Sequence, residues 1–457
     1  MKNRTTRQGV LFSGLSKKAV VVRFDQEHSS SDGGSVLLKA CDLRLQLSRR
    51  LGDCLRDRRQ QSKVAHQVRE LLQQRVFGIA CGYADGNDAA RLRDDPVLKL
   101  LIGRDPLEGK ALASQPTLSR FENSVGRREL LRMSQALADA VIERHKKRKR
   151  KARLITIDLD PTHDPTHGGQ QLTFFNGFYD SWCYLPVAGF MSFDDEAEQY
   201  LFCYVLRPGD AVANRGCVPI LKRVVRRLRR AFPRARIRVR LDSGFAGPQL
   251  YEFFDAERLE YVVGMSNNDV LKRFAEPLMQ QVREDFEQRG EQTARFGECR
   301  YRARSWSLDH RVIIKANLAH NPGRNPKDNP RFVVTNLRGS PRRIYEKIYC
   351  ARGDAENRIK ELKYALQIDR TSCTRFWANQ LRVLLTAAAY VLMQELRLRA
   401  RLTGCARAQV DSLRLRLLKV AAWVEASVRR VVLHLPSSAP YAQDWQCIAR
   451  SLGAVPT

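Results

Sequence analysis

Apolar and polar residues follow two different periods along this chain. From about residue 36 to 145 the spacing is helical. Leu43, Leu47, Leu51 and Leu55 stand four apart among many arginines, and Val68, Leu71, Leu72 and Val76 continue the stripe, the mark of amphipathic helices. From residue 154 the spacing becomes that of strands. LITIDLD, LTFFNGFYD, CYLPVAGFMSF and QYLFCYVL follow one another with turn signals between them. VPILKRVVRRLRRAF (218–232) then reads as a helix with a basic face. IRVRLD follows as a strand, Pro248 to Phe254 as a helix and EYVVGM as a strand. Helical spacing returns over 375–400 and 409–433. The order predicts an α/β sheet of mixed strand direction.

The pattern divides the chain into an N-terminal arm (1–35), a helical region (36–150), a first α/β part (151–268), a β-rich insertion (269–340), a second α/β part (341–400) and a C-terminal helical region (401–457). The arm holds a strand-like run, KAVVVRF, and a Ser/Gly linker, HSSSDGGS. The insertion is inferred because 113 residues lie between Asp242 and Glu356, too many for a loop, and because 293–338 is rich in strand-like runs. The tail, 435–457, reads as loosely structured. A strand group followed by helix, strand, helix, strand is the order of an RNase H-like sheet.

Charge narrows the partners. Lys and Arg number 80 against 49 Asp and Glu, a net charge of +31. Such a chain repels itself unless it meets a polyanion, and nucleic acid is the obvious one. The densest run, RHKKRKRKAR (144–153), precedes the first α/β strand; Lys146, Lys147 and Arg148 in it are candidate phosphate contacts. SQPTLSRFENSV carries a helix-start signal, Ser114 then Pro116. That helix, with Arg120 on it, reads either as a helix-turn-helix recognition element or as a capped helix of an all-α domain. The eleven cysteines are single, with no C-x2-C pair, which argues against zinc ribbons and for reduced thiols in the cytoplasm. No secretory signal and no long apolar span stand out.

The candidate chemistry is acidic. LITIDLD ends in Asp158 and Asp160, two apart and so on one face of a strand. Parity also permits a surface strand with solvated acids. Asp242 ends RIRVRLD and is followed by SGFAG, small residues that leave room for a phosphate or metal; a plain N-cap gives the same pattern. YCARGDAENRIKELK contains Tyr349, Arg352, Glu356 and Lys363. On a helix the last three lie within about 40° of one another, so one carboxylate projects between two cations. Two strand-borne aspartates and a helix-borne glutamate can hold two magnesium ions about 3.5–4 Å apart, the arrangement that cuts phosphodiesters. His163 and His167 stand four apart in DPTHDPTHGG; the prolines and glycines favour a loop pair near the site over a helical zinc site. Trp306 is either a base-stacking aromatic of the insertion or a core residue.

IDLDPTHDPTHGGQQ, FFNGFYDSWCYLPV, RLDSGF and YCARGDAENRIKELK occur in that order, preceded by GYADGNDAARLRDDPVLKLL and SQPTLSRFEN. Together they resemble the DDE transposases of bacterial insertion sequences that carry the YREK signature, and among these the insertion sequence 1380 group. The resemblance spans roughly 75–395. It implies an RNase H-like catalytic domain with a β-rich insertion, flanked by an N-terminal helical DNA-binding region and C-terminal helices. It also implies cleavage at terminal inverted repeats with Mg²⁺, or Mn²⁺ in its place, and joining of the freed 3′-OH to target DNA. The implied triad is Asp160, Asp242 and Glu356, with Asp158 an alternative first acid and metal ligand. Tyr349, Arg352 and Lys363 are implied to contact the DNA end. Double-stranded DNA is the implied partner, a homodimer the implied assembly on it, and the bacterial cytoplasm and nucleoid the implied place. The alternative is a DNA-binding protein that has kept the fold without the activity.

Overall fold

The structure, a computed structural model, describes residues 8–148, 151–290, 292–319 and 325–456. Lys149 and Arg150 of the basic run lie outside the described residues.

The helical half is built as its leucines demand, with one break. Gln46 takes a left-handed conformation (φ 53°) and splits the first stripe into α1 (Val36–Leu45) and α2 (Leu47–Gly52). The break rotates Leu43 into solvent while Leu47 and Leu51 stay buried. α3 (Val68–Ala80), α4 (Gln115–Ser124) and α5 (Arg127–Arg148) follow. α10 (Phe376–Arg399) is the pillar of the molecule: it is buried along nearly its whole length and packs on α1, α3, α4 and α5 and on the sheet.

Among the described residues the central sheet has nine strands. β1 (Leu154–Pro161), β2 (Val187–Phe193) and β3 (Tyr200–Val205) form an antiparallel group. α6 (Cys217–Ala231) leads to β4 (Arg236–Leu241), parallel to β1, and α7 (Pro248–Ala256) to β5 (Glu260–Met265), parallel to β4. After α8 (Asp269–Arg289) come β6 (Ala294–Tyr301), β7 (His310–Ala319), the short β8 (Lys327–Asp328) and β9 (Arg331–Thr335). The order is β6-β7-β9-β5-β4-β1-β2-β3, with β8 paired to β7. α9 (Gly353–Leu366) packs on β1 and α10.

Several expectations need correction. The stretch read as a β-rich insertion opens with the 21-residue helix α8, and its strands are no separate layer: β9 pairs antiparallel with β5, so they extend the central sheet. LTFFNGFYD contributes no central strand; Phe174–Asn176 joins Ser181–Tyr184 and Asp164–Pro165 in a small sheet of its own. The helix expected over 409–433 ends by Leu418, and Ala422–Ala426 and Val431–His434 form a strand pair. Leu, Val and Arg at helical spacing also fit a half-exposed hairpin, and tertiary pairing decides. The tail holds a helix, Ala442–Ser451. The Ser/Gly linker is partly interior: Ser29–Ser30 pairs with Ala422–Trp423, and buried Asp32 meets Lys419 Nζ at 2.8 Å.

Candidate active site

β1 and β4 are parallel neighbours, with Arg240 opposite Asp158 in the register. Two residues further along, Asp160, still paired with Ala188 of β2, and Asp242, just past the last residue of β4, stand at the same end of the two strands. β1 is buried on both faces, so the solvated-strand reading fails: Asp158 is fully buried and Asp160 is 7% exposed. Asp242 caps the turn Ser243–Phe245, its Oδ1 accepting from Gly244 N at 2.9 Å.

The third acid arrives on a helical run of changing pitch. Pro341–Arg343 starts it, Ile344–Tyr349 is a π-turn, Cys350–Arg352 a tight turn and Gly353–Leu366 the α-helix α9. π-turns inside helices are common at functional sites. Arg352 lies between two carboxylates, Nη1 3.3 Å from Asp160 Oδ1 and Nη2 2.8 Å from Glu356 Oε1. The Glu356 side chain is about half exposed (49%). Burial, opposed by Arg352 and reinforced by Asp242, Glu356 and Asp158, raises the Asp160 carboxyl to about 7. Burial also raises Asp242, against Arg352 and with Glu356. Carboxylates so placed favour a cation between them.

Among the described residues, no three His, Cys, Asp or Glu side chains form a ready-made metal cage. The donor chemistry of Asp160, Asp242 and Glu356 nevertheless suits a hard divalent cation: all donors are carboxylate oxygens, two of the carboxyls are raised toward protonation, and Arg352 holds the gap between the first and the third.

Asp158, expected as a metal ligand, does not face this gap. Arg240 donates to both its oxygens, Nε to Oδ1 at 2.7 Å and Nη2 to Oδ2 at 2.8 Å. Arg240 Nη1 also donates to the Ile348 carbonyl in the π-turn at 3.1 Å, tying that helical run to the sheet. Tyr349 is half-buried, and its hydroxyl packs on β5. A Cβ on Gly264 would lie 2.5 Å from that oxygen and 2.9 Å from Ser243 N. Lys363 Nζ donates to the His163 carbonyl. His163 stacks on Tyr179 (4.5 Å, 14°) and bonds Ser181 Oγ at 2.6 Å, while His167 is exposed. The histidines are thus a loop pair.

Trp306 is corrected to a core residue. It is 8% exposed and meets Tyr251, His310 and Tyr301 edge-on at 4.8, 5.2 and 5.5 Å, so neither face is open to a base. Arg120 is exposed on α4. Lys146 lines a surface groove between α5 and α6 with Lys222, Arg223, Arg226 and Arg230. Lys147 and Arg148 turn instead toward a recess with Arg44 and Arg399, and Arg148 is held by Glu196.

Sequence reasoning missed Arg240 and Gly264. The alternation in RIRVRLD puts Arg240 on the face of its strand opposite Val239, but only the parallel register shows that Asp158 is its partner. No helix among the described residues is long and apolar enough to cross a membrane. No curated protein matches the chain. The sequence model of the transposase DDE domain, group 1, matches residues 12–456, and the chain belongs to that transposase family.

Proposed function

We propose that the chain is a cut-and-paste DNA transposase in which Asp160, Asp242 and Glu356 are the catalytic acids. The observation that carries this reading is Arg352 held between the carboxylates of Asp160 and Glu356, with Asp242, at the end of the neighbouring parallel strand, near enough that its charge helps raise the Asp160 carboxyl. The order β3-β2-β1-β4-β5 within the sheet supports an RNase H-like core, and the resemblance to the insertion sequence 1380 group supports an element with terminal inverted repeats.

Asp160, Asp242 and Glu356 would hold magnesium, or manganese in its place. Two such ions, when bound, activate the attacking oxygen and stabilise the leaving one. The chain's own residues set the geometry. The Gly244 amide fixes the Asp242 carboxylate. The Arg240 bonds to Asp158 and to Ile348 hold the helix of Glu356 against β1. Arg352, beside the acids, and Lys363, at the His163 carbonyl, supply cations for the backbone phosphates of the DNA end, and Tyr349 packs near the Asp242 turn. The groove of Lys146, Lys222 and Arg226 extends the cationic surface available to duplex DNA, with Arg120 on α4 a further contact. Pairing of two ends makes a homodimer on DNA the working assembly.

The test is excision from a donor plasmid carrying the gene with its flanking DNA. Wild type excises; Asp160→Asn, Asp242→Asn and Glu356→Gln do not. If wild type fails to excise while end-specific binding survives in chelator, the protein is a DNA-binding relative without the activity.

A further inference from the structure

At the end of the sheet away from the three acids, four helix ends meet around a recess of about 400 Å³. The last turns of α1, α2, α5 and α10 bring Arg44, Arg50, Lys147 with Arg148, and Arg399 to its wall, and the turn after α10 adds Arg401. α5 leads to β1, which begins at Leu154 and runs about 20 Å before it reaches Asp160. Gln394, next to Glu395 in the wall, is tied to Gln199 and Leu201 at the start of β3. β3 runs the same way as β1, both being antiparallel to β2, so this too is the end remote from the acids.

Charge is in excess here. Among the described residues seven cations line the recess. Glu143 and Glu395 in the wall and Glu196 behind it answer three of them. The negative ends of four helices offset about two more. About two positive charges are left without an answer. The contacts agree. Three guanidinium groups share the fully buried Glu395: Arg399 Nη2 at 2.6 Å, and Arg44 Nε and Arg144 Nη1 at 3.7 Å each. The Arg144 side chain is 4% exposed and lies over the Tyr200 ring. Among the described residues none of its three guanidinium nitrogens has a hydrogen-bond partner. A buried charge is costly unless it is paired and hydrogen-bonded, and Arg144 has only a share in one carboxylate. It lies too deep to touch a ligand and acts as charge beneath the floor. Arg44 and Arg401, half exposed, and the exposed Lys147 reach the mouth.

Such a recess takes an anion, and its size selects which. A duplex, whose major groove alone is about 12 Å wide, lies across the mouth and offers it single phosphates spaced along a backbone. A compact chain of linked phosphates enters whole and brings two or more negative charges to groups that bond phosphate well. We propose that this recess binds a compact polyphosphate anion, two or three linked phosphates, held by Arg44, Lys147 and Arg401 above the buried charge of Arg144. The site is separate from Asp160, Asp242 and Glu356 and stands independently of the transposase reading.

The experiment titrates the full chain with inorganic tripolyphosphate by calorimetry, in chelator and at physiological salt. Wild type should show one saturable site per chain, weaker binding of orthophosphate, and a melting midpoint raised by tripolyphosphate. Lys147→Gln/Arg401→Gln should weaken binding about tenfold or more, the scale of a lost hydrogen bond to a charged group. Lys147→Arg/Arg401→Lys should bind as wild type does. Lys222→Gln/Arg226→Gln, in the groove between α5 and α6, should also leave tripolyphosphate binding unchanged. Many weak sites in place of one, or equal losses in the two glutamine variants, would overturn the proposal and leave only diffuse positive charge. A labelled duplex, followed by anisotropy, separates the other source of phosphate. Lys147→Gln/Arg401→Gln should lose far less affinity for the duplex than for tripolyphosphate. If the duplex displaces tripolyphosphate and the variant loses both alike, the recess holds backbone phosphates of DNA and the proposal is overturned.

Discussion

Arg240 faces Asp158 across two parallel strands and takes both oxygens of its carboxylate, at 2.7 and 2.8 Å, with both side chains buried. This pair separates the two aspartates of LITIDLD: one is fastened to the neighbouring strand, the other, near the strand's end, meets Arg352. Removing one member of a buried pair leaves an uncompensated charge and costs about 3–5 kcal/mol. Asp158→Asn and Arg240→Gln should each lower the thermal midpoint strongly, whereas Asp158→Leu/Arg240→Met should recover much of the loss. Asp160→Asn should melt close to wild type and still abolish excision. A normal melt for Asp158→Asn, with excision gone, would return Asp158 to the catalytic set.

The division between what was legible and what was not follows the same line. Hydrophobic period placed β1, β4, β5, α6 and α10, because each buries a face whose spacing is visible locally. The strand-end position of Asp242 and the pairing of Glu356 with Arg352 one turn before it are local patterns, legible in the sequence; the second cation, Lys363, goes instead to the His163 carbonyl. The partner of Asp158, the support of Tyr349 by Gly264 and the burial of Trp306 depend on which strands become neighbours, and that is set by non-local register. The 409–433 segment failed for the opposite reason: its local pattern was clear, but pairing with Ser29–Ser30 overrode it.

Gly264 is a second place where space decides function. An added Cβ would come within 2.5 Å of the Tyr349 hydroxyl and 2.9 Å of Ser243 N, so Gly264→Ala must displace either the Tyr349 ring or the turn that carries Asp242. The expected cost is about 1–3 kcal/mol of stability, with a larger fall in excision than the melt explains. Tyr349→Phe in the Gly264→Ala background should recover part of both, since the two positions are in contact. Additive losses would show that the hydroxyl is not what the new methyl strikes.

Asp164 gives the fold a pH dependence. Burial raises its carboxyl well above the usual range; the Thr371 hydroxyl, which donates to Oδ1 at 3.0 Å, opposes this and Asp369 reinforces it. Among the described residues Oδ2 has no hydrogen-bond partner. The folded chain therefore keeps this proton above about pH 3.9, where the unfolded chain has released it. With more protons bound in the folded state, stability falls as pH rises from about 4 toward the raised value. Asp164→Asn cannot ionise, so its melting midpoint should vary less between pH 4 and 8 than that of wild type. Parallel curves for the two proteins would remove Asp164 from the account.

The groove between α5 and α6 predicts a salt signature. Lys146, Lys222, Arg223, Arg226 and Arg230 line it, and each cation that neutralises a phosphate steepens the dependence of affinity on salt by about 0.9 in log–log slope. Lys222→Gln/Arg226→Gln should weaken binding to all duplexes alike and reduce the slope by about two. An unchanged slope would place the DNA elsewhere on the surface.

Arg352 joins electrostatics to metal use. Its guanidinium stands between Asp160 and Glu356, at 3.3 and 2.8 Å, where it neutralises the carboxylates that would otherwise face a divalent ion. Removing it should lower stability in chelator, because the buried Asp160 carboxylate then faces the charges of Asp242 and Glu356 without a counter-ion. The same change should strengthen magnesium binding, and a ligand that binds only the folded state raises stability with its affinity; tenfold tighter binding adds about 1.4 kcal/mol at saturation. Arg352→Ala should therefore show a larger rise in melting midpoint on adding magnesium than wild type does, while Asp160→Asn shows a smaller one. On the proposed reading, in which Arg352 is to meet the DNA end, excision by Arg352→Ala should nevertheless fall. Equal magnesium shifts in wild type and Arg352→Ala would mean that the guanidinium and the metal do not compete, and that the ion is held away from the gap between Asp160 and Glu356.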